Sequence, residues 1–215
     1  MAAVGASRIE GIDPDGPQTT IVLLRHGRTH YNAEARLQGQ YDSPLDHVGV
    51  EQAKLAGEHI RHRFAPHRLV TSSFARTLET AEAAGLTSLP TDVDDRWREI
   101  DFGAYDERKI RDVYVELGQA WLADPTFVPP GGESLAAMHG RVVEACAHIA
   151  ETYAGETVVV VSHATAIKSA VVWALRTDAA TILTLKINLA SISTITDSSM
   201  GLLLSGFNEM GHLPH

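Results

Sequence analysis

Cysteine is almost missing from this sequence: Cys146 is the single one in 215 residues, so no intrachain disulfide can form. That usage fits a reducing compartment. Long apolar runs are also missing. The longest purely aliphatic stretch outside helices, residues 158–161, falls far short of the roughly 20 residues that a membrane span requires. Positive charge is in deficit, with 18 Lys and Arg against 27 Asp and Glu, a formal net charge of −9. Such a balance argues against nucleic acid and anionic membranes as partners. It leaves room for a small anionic substrate, because a local arginine pocket overrides the global field. Residues 1–19 lack an apolar core and carry Glu10, Asp13 and Asp15. They read as a flexible N-terminal tail, not a signal peptide. A cytoplasmic chain is expected. There is no internal repeat and no low-complexity linker.

What is present suits one soluble domain over 20–215. Hydrophobic residues make up 44 % and charged residues 21 %, an ordinary globular mixture. A chain of this length buries a core without disulfides or structural metals. Residues 21–24 form a short apolar run ending before a glycine, which predicts a buried strand. Asp46 is placed to cap a helix over 47–64, with Val48, Gln52, Leu55, His59 and Ile60 near one face. A second strand is expected over 68–72 and a helix over 74–84. Residues 96–130 are less regular, with one helical stretch near 109–117 before the breakers at 129–132, and read as a cap over a site. Ser134 caps a long helix whose Leu135, Met138, Val142, Cys146, Ile149 and Tyr153 recur at helical spacing. That stripe makes Cys146 structural. Residues 158–161 predict a buried parallel strand, 165–175 a helix, and 191–196 with 202–207 a final strand pair. The expected fold is α/β: a three-layer sandwich with a central, mostly parallel sheet, helices on both faces and a small cap insertion.

Sites in such folds lie at the carboxyl ends of strands. His26 and His163 each follow the last apolar residues of a strand, and Arg25 precedes the first. Any one of the 11 histidines would by itself be read as structural or exposed. Two at strand ends, one beside an arginine, point to a shared cleft. His59, His62 and His67 show no ligand geometry with Cys or Asp, and no metal site is expected.

The segment Leu24-Arg25-His26-Gly27-Arg28-Thr29-His30-Tyr31-Asn32 resembles the signature of the histidine phosphatase superfamily, the phosphoglycerate-mutase-like enzymes. Further segments follow in the expected order. Gln38-Gly39 resembles the phosphate-side loop. Ser73-Phe74-Ala75-Arg76-Thr77 resembles the second arginine segment, and Arg98-Glu99-Ile100-Asp101-Phe102-Gly103 the acid segment. Pro130-Gly131-Gly132-Glu133-Ser134 is a phosphatase-branch feature, Ser162-His163 resembles the second histidine, and Ala190-Ser191-Ile192 with the end from Phe207 to Leu213 resembles the closing strands.

The resemblance implies that neutral His26 attacks phosphorus in line and forms a phosphohistidine. Arg25 and Arg76 would supply planar bidentate donors to the dianion. His163 would donate to the transferring oxygens. Glu99 would protonate the leaving alkoxide and then take a proton from water. Asn32, Gln38, Gly39 and Ala164 would surround the phosphate, with no cofactor and no metal. Ala164 stands where glycine usually follows the second histidine, Tyr105-Asp106-Glu107 where Trp-Glu-Gly is usual, and Arg28 where a carboxylate or amide is common.

Three functions compete. A phosphatase of small phosphate monoesters is preferred, because the stretch from Glu99 to Pro130 is short. Mutases of the family carry a longer basic insert there that holds a substrate carboxylate. A cofactor-dependent phosphoglycerate mutase is the alternative, and a catalytically dead phospho-ligand-binding module the third. Glu133 reads equally as a residue before a helix start. Arg108, Lys109 and Arg111 read as a solvated helix face, with contact to a distal substrate anion as the other reading. The expected partner is a small phosphorylated substrate, and a homodimer is left open.

Overall fold

The structure, a computed structural model, describes residues 18–198 and 201–214. Most of the expected tail, residues 1–17, lies outside the described residues. Thr19, placed in the tail by sequence, instead opens the first strand.

That strand, β1 (Thr19–Arg25), pairs in parallel with β4 (Thr157–Ser162), Ile21 beside Val158 and Leu24 beside Val161. On the other side of β4 lie β2 (Arg68–Thr71) and then β3 (Thr91–Val93), both parallel. β5 (Ile192–Ser198) runs antiparallel to β1, and β6 (Gly201–Glu209) antiparallel to β5. The order is β3-β2-β4-β1-β5-β6, a mostly parallel sheet with an antiparallel edge. β1 and β4 are central and covered on both faces, so both read as continuous apolar runs. Ile21, Leu23, Val158 and Val160 face one core, shared with α5 (Leu135–Thr152) and α6 (Ala164–Leu175). Val22, Leu24, Val159 and Val161 face the other, shared with α2 (His47–Phe64) and α3 (Ala75–Ala83). Among the described residues the remaining α-helices are the single turn α1 (His30–Ala33) and the cap helix α4 (Ile110–Ala123).

Asp46 caps α2, accepting from the Gly49 N–H at 2.8 Å. The buried face of α2 differs from the expected one: it is Gly49, Ala53, Ala56, Gly57 and Ile60. Val48, Gln52, Leu55 and His59 are half-buried. Close approach decides this face. A Cβ on Gly57 would collide with the Ala84 carbonyl, so small residues bring α2 against α3. The cap helix α4 runs well past the expected 117, because Leu117 and Trp121 still find core to bury in. In α5, Ser134 accepts from the Ala137 N–H at 3.1 Å, and Leu135, Met138, Val142, Cys146 and Ile149 are buried as expected. Tyr153 is half-buried at the helix end, its hydroxyl donating to Asp92. Among the described residues, no helix is long and apolar enough to cross a membrane.

The adjacency of β1 and β4 positions the site. Arg25 pairs with Ser162, and the His26 N–H donates to the Ser162 carbonyl at 3.0 Å. His26 and His163 therefore leave the sheet side by side at its carboxyl edge.

Candidate active site

Nδ1 of His26 lies 2.8 Å from the Gly27 carbonyl oxygen. A carbonyl only accepts, so Nδ1 carries the hydrogen and Nε2 keeps its lone pair. Burial holds the His26 pKa well below its ordinary value, with Arg25 and Arg76 pushing the same way and the Gly27 bond opposing. The ring is thus neutral near pH 7. Gly27 is required by packing: a Cβ there would collide with the Gly49 carbonyl, where the start of α2 touches the loop after β1.

Arg25 donates from Nη1 to the Ile187 carbonyl at 2.7 Å, while its buried Nε has no partner among the described residues. Burial lowers its pKa to about 10, Glu99 acting against the shift and Arg76 with it. It stays cationic at neutral pH. Gln38 is buried, and its Oε1 accepts from the Thr29 hydroxyl at 2.9 Å. Its Nε2 has no partner among the described residues. Asn32 accepts from the Thr29 N–H at 3.1 Å in a capping box. Glu99 is buried at the start of α6: Oε1 accepts from Ile100 N–H at 2.9 Å and from Thr165 N–H at 3.2 Å.

These groups open onto one cavity of about 600 Å³, lined by Arg25, His26, Asn32, Gln38, Glu99 and Ala164 of the expected set. The cap and the segment before β5 close it, through Phe102, Val113, Leu117, Trp121, Ile182 and Ile187 among others.

Three expected residues do not line the cavity. Arg76 is fully buried behind the cavity lining. Its Nη1 donates to the Tyr41 carbonyl and Asp42, its Nη2 to the Gln38 and Gly39 carbonyls, and its Nε to His163 Nδ1 at 3.2 Å. In this arrangement the 38–42 loop takes most of its donors. His163 is fully buried 5.3 Å from the His26 ring. Its Nδ1 accepts from Arg76, so Nε2 carries the hydrogen and donates to Ser72 Oγ at 2.8 Å. In this arrangement its N–H is directed to Ser72. Gly39 gives its N–H to Asp106 at 2.8 Å, and a Cβ there would meet Asp106 and the Ile100 carbonyl. Its glycine reflects close packing under the cap.

The charges after Tyr105 do not line the cavity. Lys109 donates to the Glu34 carbonyl, Arg111 pairs with Asp112, and Arg108 lies over the Tyr105 ring. Arg36, Lys168 and Lys186 do line the cavity, and sequence reading passed over all three; the one carried by α6 is Lys168. It is the single charged residue of α6, a signal visible in the sequence. No ion pair or hydrogen bond is formed by its ammonium among the described residues, and burial lowers its pKa, Glu99 acting against the shift. Glu133 forms a bidentate pair with Arg141, both distances 2.8 Å. Arg141 in turn donates to the carbonyls of Arg96, Arg98 and Glu99. Among the described residues, no cluster of three or more His, Cys, Asp or Glu has the arrangement of a metal site.

Known proteins share both sequence and fold. The bifunctional protein Rv2228c of Mycobacterium tuberculosis is 36 % identical over 184 residues, which is 83 % of this chain and 50 % of that protein. The chain thus spans about half the length of that relative. A probable phosphoglycerate mutase, GpmB, of Salmonella paratyphi C is 38 % identical over 153 residues, 68 % of this chain and 70 % of its own. The structure of mycobacterial glucosyl-3-phosphoglycerate phosphatase in complex with VO3 superposes with a TM-score of 0.78 at 29 % identity, covering 89 % of this chain and 99 % of that one. With the sequence pattern of the family matched over residues 21–209, this chain belongs to the histidine phosphatase superfamily, branch 1.

Proposed function

We propose that this chain is a phosphatase of small-molecule phosphate monoesters, working through a phosphohistidine on His26 without a metal. The observation that carries this reading is the tautomer: Nδ1 is held on the Gly27 carbonyl, while Nε2, with no partner among the described residues, belongs to a ring lining a cleft beside Arg25 and Glu99.

Nε2 attacks phosphorus, and the P–O bond to the leaving group breaks. Glu99, as the carboxylic acid, delivers its proton to that oxygen, leaving an alcohol, a phosphohistidine and a carboxylate. Water then attacks phosphorus. Glu99 takes its proton, the P–N bond breaks, and inorganic phosphate leaves with His26 neutral again. Arg25 and the free Nε2 of Gln38 compensate the phosphoryl charge. Arg76 acts from behind, bracing the 38–42 loop and helping to keep His26 unprotonated. Fixed cations and amides supply the charge compensation, so activity is expected to survive a chelator.

The test is trapping of labelled phosphoenzyme in an alkaline denaturing quench, which preserves the acid-labile P–N bond, together with phosphate release. Wild type should form a phosphohistidine and release phosphate in the presence of chelator, and His26→Ala should do neither. Equal release by both proteins would overturn the reading. The relative named as a probable phosphoglycerate mutase supports a second reading. Efficient isomerisation of 3-phosphoglycerate with catalytic bisphosphoglycerate, without net phosphate release, would establish it instead.

A further inference from the structure

We infer that the space beyond the scissile bond is an apolar leaving-group subsite, so the preferred substrates are phosphate monoesters with an extended hydrocarbon body. This rests on the phosphatase reading above and specifies its substrate class.

The first observation is the chemistry of the wall. α4 lines the cavity with Ile110, Val113, Leu117, Gly118 and Trp121, which offer no hydrogen-bonding group to a ligand. The one polar atom among those side chains, the Trp121 indole N–H, is already donated to the Phe127 carbonyl at 3.0 Å. Ile182, Leu183, Leu185 and Ile187 line the same space from the segment before β5, with Thr184 and Lys186 between them, and Arg36, Thr165 and Lys168 belong to the polar part of the lining. A polyhydroxylated leaving group laid against α4 would lose water there and recover few hydrogen bonds. A hydrocarbon body gains from the same burial.

Size is the second observation. At about 600 Å³ the cavity falls within the roughly 300–1,000 Å³ of sites that enclose drug-sized ligands. A three-carbon phosphate ester leaves most of it unfilled.

Gly118 is the third. Glycine inside a helix is unfavourable relative to alanine and calls for a local reason. The protein supplies no steric one: a Cβ built at Gly118 meets nothing within 4 Å. Its backbone is helical, so no left-handed conformation demands glycine either. Gly118 borders the cavity, and the room it leaves there extends the subsite.

The experiment measures kcat/KM for phosphate release from ethyl, butyl and hexyl phosphate by wild type, His26→Ala, Gly118→Leu and Leu183→Gln. Wild type should gain with each methylene, up to about fourfold, the rate equivalent of about 0.8 kcal/mol. Gly118→Leu, which helix propensity favours, should lose at least tenfold more on hexyl than on ethyl phosphate. Leu183→Gln, on the facing wall, should flatten the same series. A flat or falling His26-dependent series in wild type would overturn the subsite and leave the phosphatase reading standing. A wild-type slope retained in both wall variants would overturn the placement against α4 and residue 183. Release that does not depend on His26 for any ester would remove the phosphatase reading and the proposal with it.

Discussion

Nε of Arg76 donates to Nδ1 of His163 across 3.2 Å, and this bond fixes the protonation of the imidazole. With Nδ1 accepting and the Nε2 hydrogen on Ser72, His163 is neutral. A second proton would set an N–H against a guanidinium. Burial, then Arg76, His26 and Arg25, hold its pKa well below the ordinary histidine value. His26 is shifted in the same direction, chiefly by burial.

A pH dependence follows. The folded pKa values lie below the unfolded value of about 6.5, so the unfolded chain takes up protons first as pH falls. Stability is then full above about pH 6.5 and declines below it. His139 and His212, also lowered by burial, act in the same sense. Thermal unfolding should show a melting temperature that drops between about pH 7 and pH 5. NMR titration of the ring Cε1 protons should place both site histidines below 6.5. A melting temperature that rose on acidification, or a site histidine titrating at or above 6.5, would contradict the buried neutral pair.

Arg76→Met tests the clamp on the 38–42 loop. Its loss orphans the carbonyls of Gln38 and Gly39, and removes the ion-pair partner of Asp42. An orphaned buried group costs about 1–3 kcal/mol, so a loss of roughly 3 kcal/mol is expected in denaturant unfolding. Arg76→Lys should recover only part, since one ammonium cannot reach acceptors spread around a planar fork. A loss below about 1 kcal/mol for Arg76→Met would show that the clamp does not form in solution.

Much of this was legible before the structure. The apolar runs at 21–24 and 158–161 located the two central strands, and β/α alternation put both histidines at one sheet edge. Asp46 and Ser134 marked helix starts because capping chemistry is local. The face of α2 was not legible, since close approach to Ala84 favours glycine and alanine over the larger Val48 and Leu55. The true places of Arg76, His163 and Gly39 were not legible either. Residue type and order bring a guanidinium or an imidazole near a phosphate, but which acceptors saturate it depends on a loop path that spacing does not encode. Lys168 was visible as a lone charge on an apolar helix, yet only the packing of α6 turns it into the cleft.

Glu99→Gln separates acid catalysis from positioning. The amide oxygen can still accept from the Ile100 and Thr165 N–H groups, so the side chain should stay in place. It has no proton to give an alkoxide. Turnover of alkyl phosphates should fall about 10²–10⁴-fold. Phosphoenzyme formation from p-nitrophenyl phosphate, whose leaving group needs no proton, should fall far less. Equal losses on both substrates would remove the acid role.

Arg141 carries the last prediction, because it holds the chain that carries Glu99. Glu133 fixes its guanidinium by two 2.8 Å contacts, and its Nη1 donates to the Arg96 carbonyl at 2.7 Å and the Arg98 carbonyl at 2.9 Å. Its Nη2 reaches the carbonyl of Glu99 itself. Arg141→Leu frees that segment without touching the nucleophile. If the segment aims the acid, the variant should lose at least about tenfold in kcat on alkyl phosphates, some 1.4 kcal/mol in the barrier, and less on p-nitrophenyl phosphate. Glu133→Gln keeps the guanidinium and should show a milder form of the same asymmetry. A purely structural Arg141 would lower stability and depress both substrates alike, so the ratio of the two kcat values, not the loss itself, decides whether this pair serves Glu99.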